Sequence, residues 1–199
     1  MADILGGILS QLGNGGLAQI AGALGADEGK AGDAVAMALP ALLGGLAKNA
    51  QNPDGANALA GALDNHDDGV FGKLTDLMGS QDGSKILGHV LGNKTNATQQ
   101  RIAAGSGLDT GAVAKLLPML APLVMGYLGK QKKEKGLGAN ELASALQHER
   151  EDTESKAPGL GGLAAILDTD GDGLDLDDVK NLASGSGGLG GLLGSFLKG

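Results

Sequence analysis

Apolar residues recur along this chain at helical spacing, and glycines and short polar connectors separate the apolar stretches. Leu39, Leu42, Leu43 and Leu46 follow the three-and-four spacing that places side chains on one face of a helix. Shorter helices are predicted elsewhere, and glycines that can adopt the left-handed C-cap conformation end several of them. These shorter helices cover residues 4–12, 17–24, 74–78, 86–91 and 99–104. The pattern therefore predicts an all-α protein.

Two pairs of segments repeat along the chain and predict an internal duplication. Residues 34–42 (AVAMALPAL) share Ala-Val-Ala, Leu-Pro and Leu with residues 112–120 (AVAKLLPML) at equal spacing. Residues 56–63 (ANALAGAL) and residues 139–146 (ANELASAL) differ at only two positions. Each copy is predicted to contain a long apolar helix, a polar connector and a shorter amphipathic helix.

The duplication sets the predicted domain organisation. Pro40 and Pro118 occupy the same place in the two long helices, and we expect a kink at each because an interior proline removes a backbone hydrogen bond. A charged, proline-ended segment after the second copy is predicted to be a linker. The predicted parts are a body at 1–150, with copies at about 1–65 and 80–150, a linker at 151–158, a calcium-loop helical segment at 159–183 and a glycine-rich apolar tail at 184–199.

The predicted tail contains a short sequence that is similar to one near the start of the chain. Residues 189–193 (LGGLL) are similar to residues 5–9 (LGGIL).

Glycine makes up 38 of the 199 residues, and aromatic residues only 2%. The core must therefore consist of Leu, Ala, Ile, Val and Met, and the small share of β-branched residues favours helices over strands.

Charge and cysteine content exclude several classes of function. The net charge of −8 argues against a nucleic-acid partner, because phosphates attract a basic surface. The chain contains no Cys, which excludes disulfides, thiolate zinc sites and thiol catalysis. The one basic run, residues 130–135 (KQKKEK), is interpreted as a solvated helix C-terminus, with a membrane-surface or nucleic-acid patch as the alternative.

No targeting segment is recognised in the sequence. The longest apolar stretch, residues 116–128, contains two prolines and is too short to span a bilayer, so we expect no transmembrane segment. Residues 1–7 (MADILGG) contain an acidic residue and no basic one, which does not fit a Sec signal peptide. We expect the protein to be cytoplasmic, or extracellular after export without a cleaved leader.

The densest cluster of candidate ligands is at residues 168–178 (DTDGDGLDLDD), where six carboxylates surround two glycines. Calcium binds six to eight oxygen atoms, which an EF-hand loop supplies from alternating positions around a glycine at position 6. Asp168, Asp170 and Asp172 fall at positions 1, 3 and 5, and Gly173 falls at position 6. The sequence therefore predicts a calcium site.

The end of this loop departs from the EF-hand pattern. Position 12 is Val179, which has no carboxylate, so Asp177 or Asp178 must close a shortened loop. The predicted metal ligands are Asp168, Asp170, Asp172, Leu174, Asp177 and Asp178. The alternative is an acidic surface turn in which Asp177 and Asp178 favour the N-terminus of the next helix through its dipole.

The histidines do not predict an enzyme. His66 lies among three carboxylates in residues 64–69 (DNHDDG). This cluster could bind a metal ion, but the simpler interpretation is a polar connector whose Asp residues cap the next helix. We expect His89 to form a hydrogen bond at a buried edge of an amphipathic helix and His148 to be exposed. The sequence contains no nucleophile elbow and no Walker loop.

Several short motifs together resemble a known bacterial family. They are the break Asn14-Gly15-Gly16, the helix of residues 39–46 (LPALLGGL) with Asn49 after it, Gly55-Ala56 leading into Ala62-Leu63, and residues 82–92 (DGSKILGHVLG). Over most of residues 1–130 these motifs resemble the YidB-like bacterial domain of unknown function (domain of unknown function 937). The Asp-rich loop resembles one found in many longer members. The resemblance implies an all-helical body, and it implies no established activity, substrate or catalytic residue.

Taken together, these features predict a non-enzymatic structural or self-associating bacterial protein, of a filament- or matrix-forming kind, with one calcium loop. Its expected partner is a second copy of itself, as a homo-oligomer or larger assembly. The alternative is a soluble intracellular monomer that binds a protein or apolar ligand in a groove between the two helical repeats. In that case the Asp loop is only structural.

Overall fold

The described part of the chain is helical throughout. The computed structural model describes residues 4–13, 15–64 and 81–156, and no strand occurs in these ranges. The all-α class is therefore confirmed. The helices are α1 (Ile4–Leu12), α2 (Gly16–Leu24), α3 (Glu28–Asn49), α4 (Pro53–Asp64), α5 (Gln81–Val90), α6 (Thr95–Ser106), α7 (Thr110–Lys135) and α8 (Ala139–Lys156), with a 3₁₀ turn at Gly92–Lys94 between α5 and α6.

The chain divides into a unit of residues 1–152 and a unit of residues 153–199. Of the second unit, only residues 153–156, at the end of α8, are described. All packing considered below lies within the first unit. Helix α8 continues to Lys156, so it covers most of the segment that we predict as a linker, and the division into domains stays a prediction.

Helix α7 is the centre of the first unit. Helices α1 to α6 all pack against it, and every residue from 121 to 129 is buried. The side chains that line this core are mainly Leu, Ala, Val, Ile and Met, as the composition predicts, with Tyr127 as the aromatic member. A helix that is apolar on all sides needs neighbours on all sides, because each exposed methylene forgoes about 0.8 kcal/mol of burial free energy.

Local signals explain where α3 and α7 begin. The Asp27 carboxylate accepts hydrogen bonds from the backbone N–H of Gly29 and of Lys30, at 2.9 and 3.4 Å. The Asp109 carboxylate accepts one from the Ala112 N–H at 2.9 Å. Both Asp residues have an extended backbone, as N-cap residues do when they satisfy the first unpaired amides of a helix.

Glycines end the helices that precede these caps. Gly25 ends α2 and Gly107 ends α6 in the left-handed conformation, with φ of 63° and 69°, and each is followed two residues later by an Asp N-cap. These caps lie 82 residues apart, whereas the motifs at 34–42 and 112–120 lie 78 apart, so the caps do not align with the predicted duplication, which stays a prediction. Pro40, Pro118 and Pro122 lie inside helices that continue through them, and the kinks also stay a prediction.

Helix α4 begins within the sequence NPDG at residues 52–55. The Asn52 side-chain oxygen accepts a hydrogen bond from the Gly55 N–H at 2.7 Å, and Pro53 occupies the first helical position. Proline fits there because its missing N–H would have no partner within the helix. The predicted short helix at residues 74–78 lies outside the described residues.

Candidate functional site

A depression of about 520 Å³ lies between the end of α3 and the middle of α8. Ala47 and Ala50 of α3 and Ala143 of α8 form its apolar part. Its remaining lining residues are polar: Gln51, Ser144, Gln147, His148 and Glu151. The depression is open to solvent and lined mostly by polar residues, so it is a surface groove rather than the enclosed, mainly apolar pocket that small ligands usually occupy.

Gln147 supplies a partly buried polar group to the depression. Its amide nitrogen donates a hydrogen bond to Glu151 Oε1 at 3.1 Å, one turn further along α8. Its carbonyl Oε1 is buried and accepts no hydrogen bond from the described residues. A buried acceptor of this kind favours a ligand that brings an N–H or O–H donor, since an unsatisfied polar atom costs about 1–3 kcal/mol.

The end of α3 and the turn between α7 and α8 position the two helices that line the depression. At the end of α3, the Asn49 side-chain amide donates to the His89 carbonyl oxygen at 2.7 Å and so ties α3 to the last turn of α5. Gly136 ends α7 in the left-handed conformation with φ of 61°, and α8 begins three residues later. Leu142 and Leu146 of α8 are buried in the core. Helix α8 is therefore anchored to the core through these two leucines.

Glu149 of α8 is a buried carboxylate with a defined role. It is 7% exposed, and its two oxygens accept hydrogen bonds from the backbone N–H of Ile4 and of Leu5, both at 2.9 Å. Glu149 therefore caps the N-terminus of α1, where a negative charge is favoured by the unpaired amides and the helix dipole. This role is not predicted from the sequence, because no local pattern connects residues that lie 145 positions apart.

Tyr127 of α7 completes the surface on which α1 lies. Its hydroxyl group occupies the place where a side chain at position 7 would begin, so Gly7 is the residue that allows this approach. We refer to Tyr127 and Glu149 together as the α1-binding surface. It contacts α1 through one backbone cap and one glycine, and neither contact depends on a particular large side chain.

The predicted calcium ligands Asp168, Asp170, Asp172, Leu174, Asp177 and Asp178 all lie outside the described residues. The same holds for His66, Asp67 and Asp68 of the second candidate metal cluster. Asp64, which is described, is exposed and pairs with Lys132. Among the described residues, no group of three or more His, Asp or Glu side chains is placed to hold a metal ion.

The two described histidines are both exposed. This confirms the prediction for His148, whose Nε2 lies 3.9 Å from Asp152 Oδ2. The prediction for His89 is wrong: its ring is exposed, and it is the backbone carbonyl of His89 that accepts the hydrogen bond from Asn49. The last turn of α5 turns the ring to solvent because Leu87 and Val90 take the buried positions.

The basic run at residues 130–135 is more than a solvated helix end. It does form the last turns of α7, as predicted. However, the Lys132 side chain is only 15% exposed, and its ammonium donates to the Ala60 carbonyl at 2.7 Å and to Asp64 at 2.5 Å. Lys132 therefore satisfies the C-terminal end of α4, where a cation offsets the helix dipole.

Within the described part of the chain, α3 and α7 are long and apolar enough to cross a membrane by length and composition alone. The most apolar part of α7 is 78% buried within the protein, and that of α3 is 50% buried. Buried core helices satisfy the same criterion, so these two helices are weak support for a membrane span.

Comparison with known proteins gives one match. A family model described as a bacterial protein of unknown function (DUF937) matches residues 7–131, which is more than half of the chain. The match includes α2 to α6 and nearly all of α7, and the YidB-like character stays a resemblance. Neither the curated proteins nor the solved structures include a match to this chain.

Proposed function

Since the chain belongs to DUF937, a family of bacterial proteins of unknown function, we propose that it is a non-enzymatic structural protein that associates with itself and carries one calcium-binding loop. The observation that carries this proposal is the carboxylate pattern of residues 168–178. Six carboxylates in eleven residues repel one another unless a cation neutralises them, so calcium binding would order the segment around the loop.

Calorimetric titration with calcium tests the loop directly. We expect Asp168→Ala and Asp172→Ala to abolish binding or weaken it at least about tenfold, because each removes a ligand of the predicted loop. Asp175→Ala is the matched control: it removes the same charge from position 8, which supplies no ligand in an EF-hand loop. Equal weakening in all three variants would indicate only general attraction to an acidic segment.

Sedimentation velocity tests the self-association. We expect the natural chain to sediment as a mixture of monomer and larger species whose proportion rises with protein concentration. Calcium and a chelator form the two arms of the experiment, since ordering of the 159–183 segment would change the association. A single monomeric species across the whole concentration range in both arms contradicts the self-association.

The non-enzymatic character is supported by the residues that usually carry catalysis. His89 and His148 are exposed on helix surfaces, and the chain contains no cysteine. The one deeply buried carboxylate that we describe, Glu149, is bonded to backbone amides at a helix N-terminus. Such a carboxylate stabilises a helix end.

A second candidate function is favoured by the depression between α3 and α8, which draws one helix from each predicted copy. It would bind an apolar or peptide ligand that donates a hydrogen bond to Gln147. A hydrophobic fluorescent dye is a suitable probe. We expect Ala143→Leu to fill the depression and lower dye binding, and Ala145→Leu, on the same helix but outside the lining, to leave it unchanged. Equal dye binding in both variants contradicts this function.

A further inference from the structure

The thioether of Met37 lies at the edge of the contact between α3 and α6. Met37 is on α3, and its Sδ and Cε lie against Gly105 in the last turn of α6, so closely that a Cβ at position 105 would be 2.6 Å from Sδ. Gly105 is exposed, and Met37 is only partly buried. The sulfur therefore lies where the contact between the two helices meets solvent.

The other methionines of the described residues are less accessible. Met119 and Met125 lie on α7 within the core, and each is 4% exposed. Met1 and Met78 lie outside the described residues. Oxidation of a sulfur atom depends on its exposure to the oxidant. Among the described methionines, Met37 is therefore the one that a dissolved peroxide reaches first.

We propose that Met37 is a modification site, at which a peroxide oxidises the thioether to the sulfoxide and so loosens α6 from α3. A sulfur lone pair attacks one oxygen of hydrogen peroxide, and the O–O bond breaks. The proton of the transferred oxygen passes to the departing hydroxide, which leaves as water. The sulfur is oxidised and the peroxide is reduced, and a sulfoxide reductase can reverse the change.

Helix α6 is sensitive to such a change because it depends on its neighbours. It has 12 residues, and no side chain caps its N-terminus. A helix of this length is marginal by itself, so packing must hold it in place. Ile102 and Ala103 supply that packing near its middle, with 2% and 8% exposure, and Met37 covers Gly105 near its end.

The sulfoxide replaces an apolar contact by a polar one. Its oxygen needs hydrogen bonds from water, because a buried polar atom without a partner is costly. The oxidised side chain must therefore turn to solvent, which removes the thioether from Gly105. The chain continues from α6 through Gly107 to Asp109, the N-cap of α7, so the corner between α6 and α7 loses support.

Site-resolved oxidation of the full-length natural chain tests the site. The chain is treated with hydrogen peroxide for increasing times, and mass spectrometry of fragmented peptides measures the sulfoxide at each methionine. Met37 should react at least about tenfold faster than Met119 and Met125. Equal rates at the three positions overturn the proposal. This comparison uses the natural chain alone, so it does not depend on how a variant folds.

The variant Gly105→Ala tests the position of the thioether. Its added methyl group occupies the place of the Met37 thioether and pushes it towards solvent, so oxidation of Met37 should become faster. Oxidation of Met119 and Met125 should keep its rate, because both lie in the core. An unchanged rate at Met37 contradicts the contact with Gly105 on which the proposal rests.

Urea denaturation before and after peroxide treatment tests the loosening. The equilibrium constant for unfolding of the natural chain should rise at least about fivefold, because a polar group enters a packed contact. Met37→Leu, which keeps a similar apolar volume without sulfur, should lose this response. Met78→Leu is the matched control, since it keeps Met37 and should respond as the natural chain does. Sulfoxide reductase with a thiol reductant should restore the stability.

Each remaining outcome contradicts the proposal in its own way. A response that persists in Met37→Leu, or that disappears in Met78→Leu, assigns the effect to another methionine. Selective oxidation of Met37 without a change in stability overturns the loosening of α6. A loss of stability that the reductase does not restore indicates damage other than a sulfoxide. None of these results depends on calcium binding or self-association, so the proposed function is tested separately.

Discussion

Helices α3 and α7 contain the same short motif but are buried to different extents. Both begin at an Asp N-cap and contain the proline of the repeated motif, Pro40 in α3 and Pro118 in α7. The most apolar part of α7 is 78% buried, against 50% for α3. Helix α7 is surrounded by six other helices, whereas α3 has a side that no neighbour covers fully. The Asp N-caps set where each helix begins, and the neighbouring helices decide how much of it is buried.

Helix α5 touches both α3 and α7, and each contact depends on one glycine. Gly83 of α5 lies against the backbone carbonyl of Pro118 in α7. Gly45 of α3 lies against Val90 at the end of α5, where a Cβ would be 2.7 Å from the carbonyl oxygen and 2.8 Å from Cγ1. The α7 contact is therefore backbone against backbone, and the α3 contact includes a side chain that can move.

The largest expected effect is at the α5–α7 contact. In Gly83→Ala the added methyl group meets the Pro118 backbone, which cannot move without shifting α7, so we expect a loss of about 3 kcal/mol or more. Gly88→Ala on the same helix meets nothing within 4 Å and should stabilise the protein by about 0.5–1 kcal/mol. Urea denaturation followed by circular dichroism measures both. A small effect of Gly83→Ala would show that α5 is not held tightly on α7.

The α5–α3 contact should be less sensitive. We expect Gly45→Ala to lower the free energy of unfolding by about 2 kcal/mol, because the Val90 side chain can turn away although its carbonyl cannot. The neighbouring Gly44→Ala meets nothing within 4 Å and should be stabilising by about 0.5 kcal/mol. The same denaturation assay applies. If Gly45→Ala costs more than Gly83→Ala, our order of the two contacts is wrong.

The N-cap of the more buried helix, α7, should contribute more to the free energy of unfolding than the N-cap of α3. Asp109→Ala removes the partly buried cap of α7, and Asp27→Ala removes the exposed cap of α3. We expect losses of about 1.5 and about 0.7 kcal/mol in the free energy of unfolding. Asp33→Ala, which removes an exposed carboxylate within α3, is the control and should have little effect. Equal losses at Asp109 and Asp27 would mean that burial of α7 does not extend to its first turn.

The smallest expected effect is at the end of α7. Lys132→Met keeps the length of the side chain but loses the bonds to Ala60 and Asp64, and we expect a loss of about 0.5 kcal/mol because Asp64 is 60% exposed. Lys133→Met, at an exposed position of the same turn, should be neutral. Thermal unfolding of the Lys132→Met and Lys133→Met variants at low and high salt measures this difference in stability. A loss that does not shrink in high salt would indicate the lost hydrogen bond to the Ala60 carbonyl rather than the lost charge pair with Asp64.

Much of the fold could be predicted from the sequence because its signals are local. The starts of α3 and α4 follow from Asp27 and from Asn52-Pro53, and the end of α2 follows from Gly25. The candidate site could not be predicted in the same way. Nothing near Gln147 in the chain marks it as a residue of a depression, because the opposite wall comes from α3, about one hundred residues earlier.

The helical class, most helix ends and the family can be predicted from the amino-acid sequence, because caps, glycines and apolar spacing act within a few residues. The carboxylate loop at residues 168–178, on which the proposed function rests, is also visible there. The cap that Glu149 gives α1, the place of Tyr127 over Gly7 and the depression between α3 and α8 depend instead on how the helices pack. Those contacts join distant parts of the chain, so they exist only once whole helices have packed.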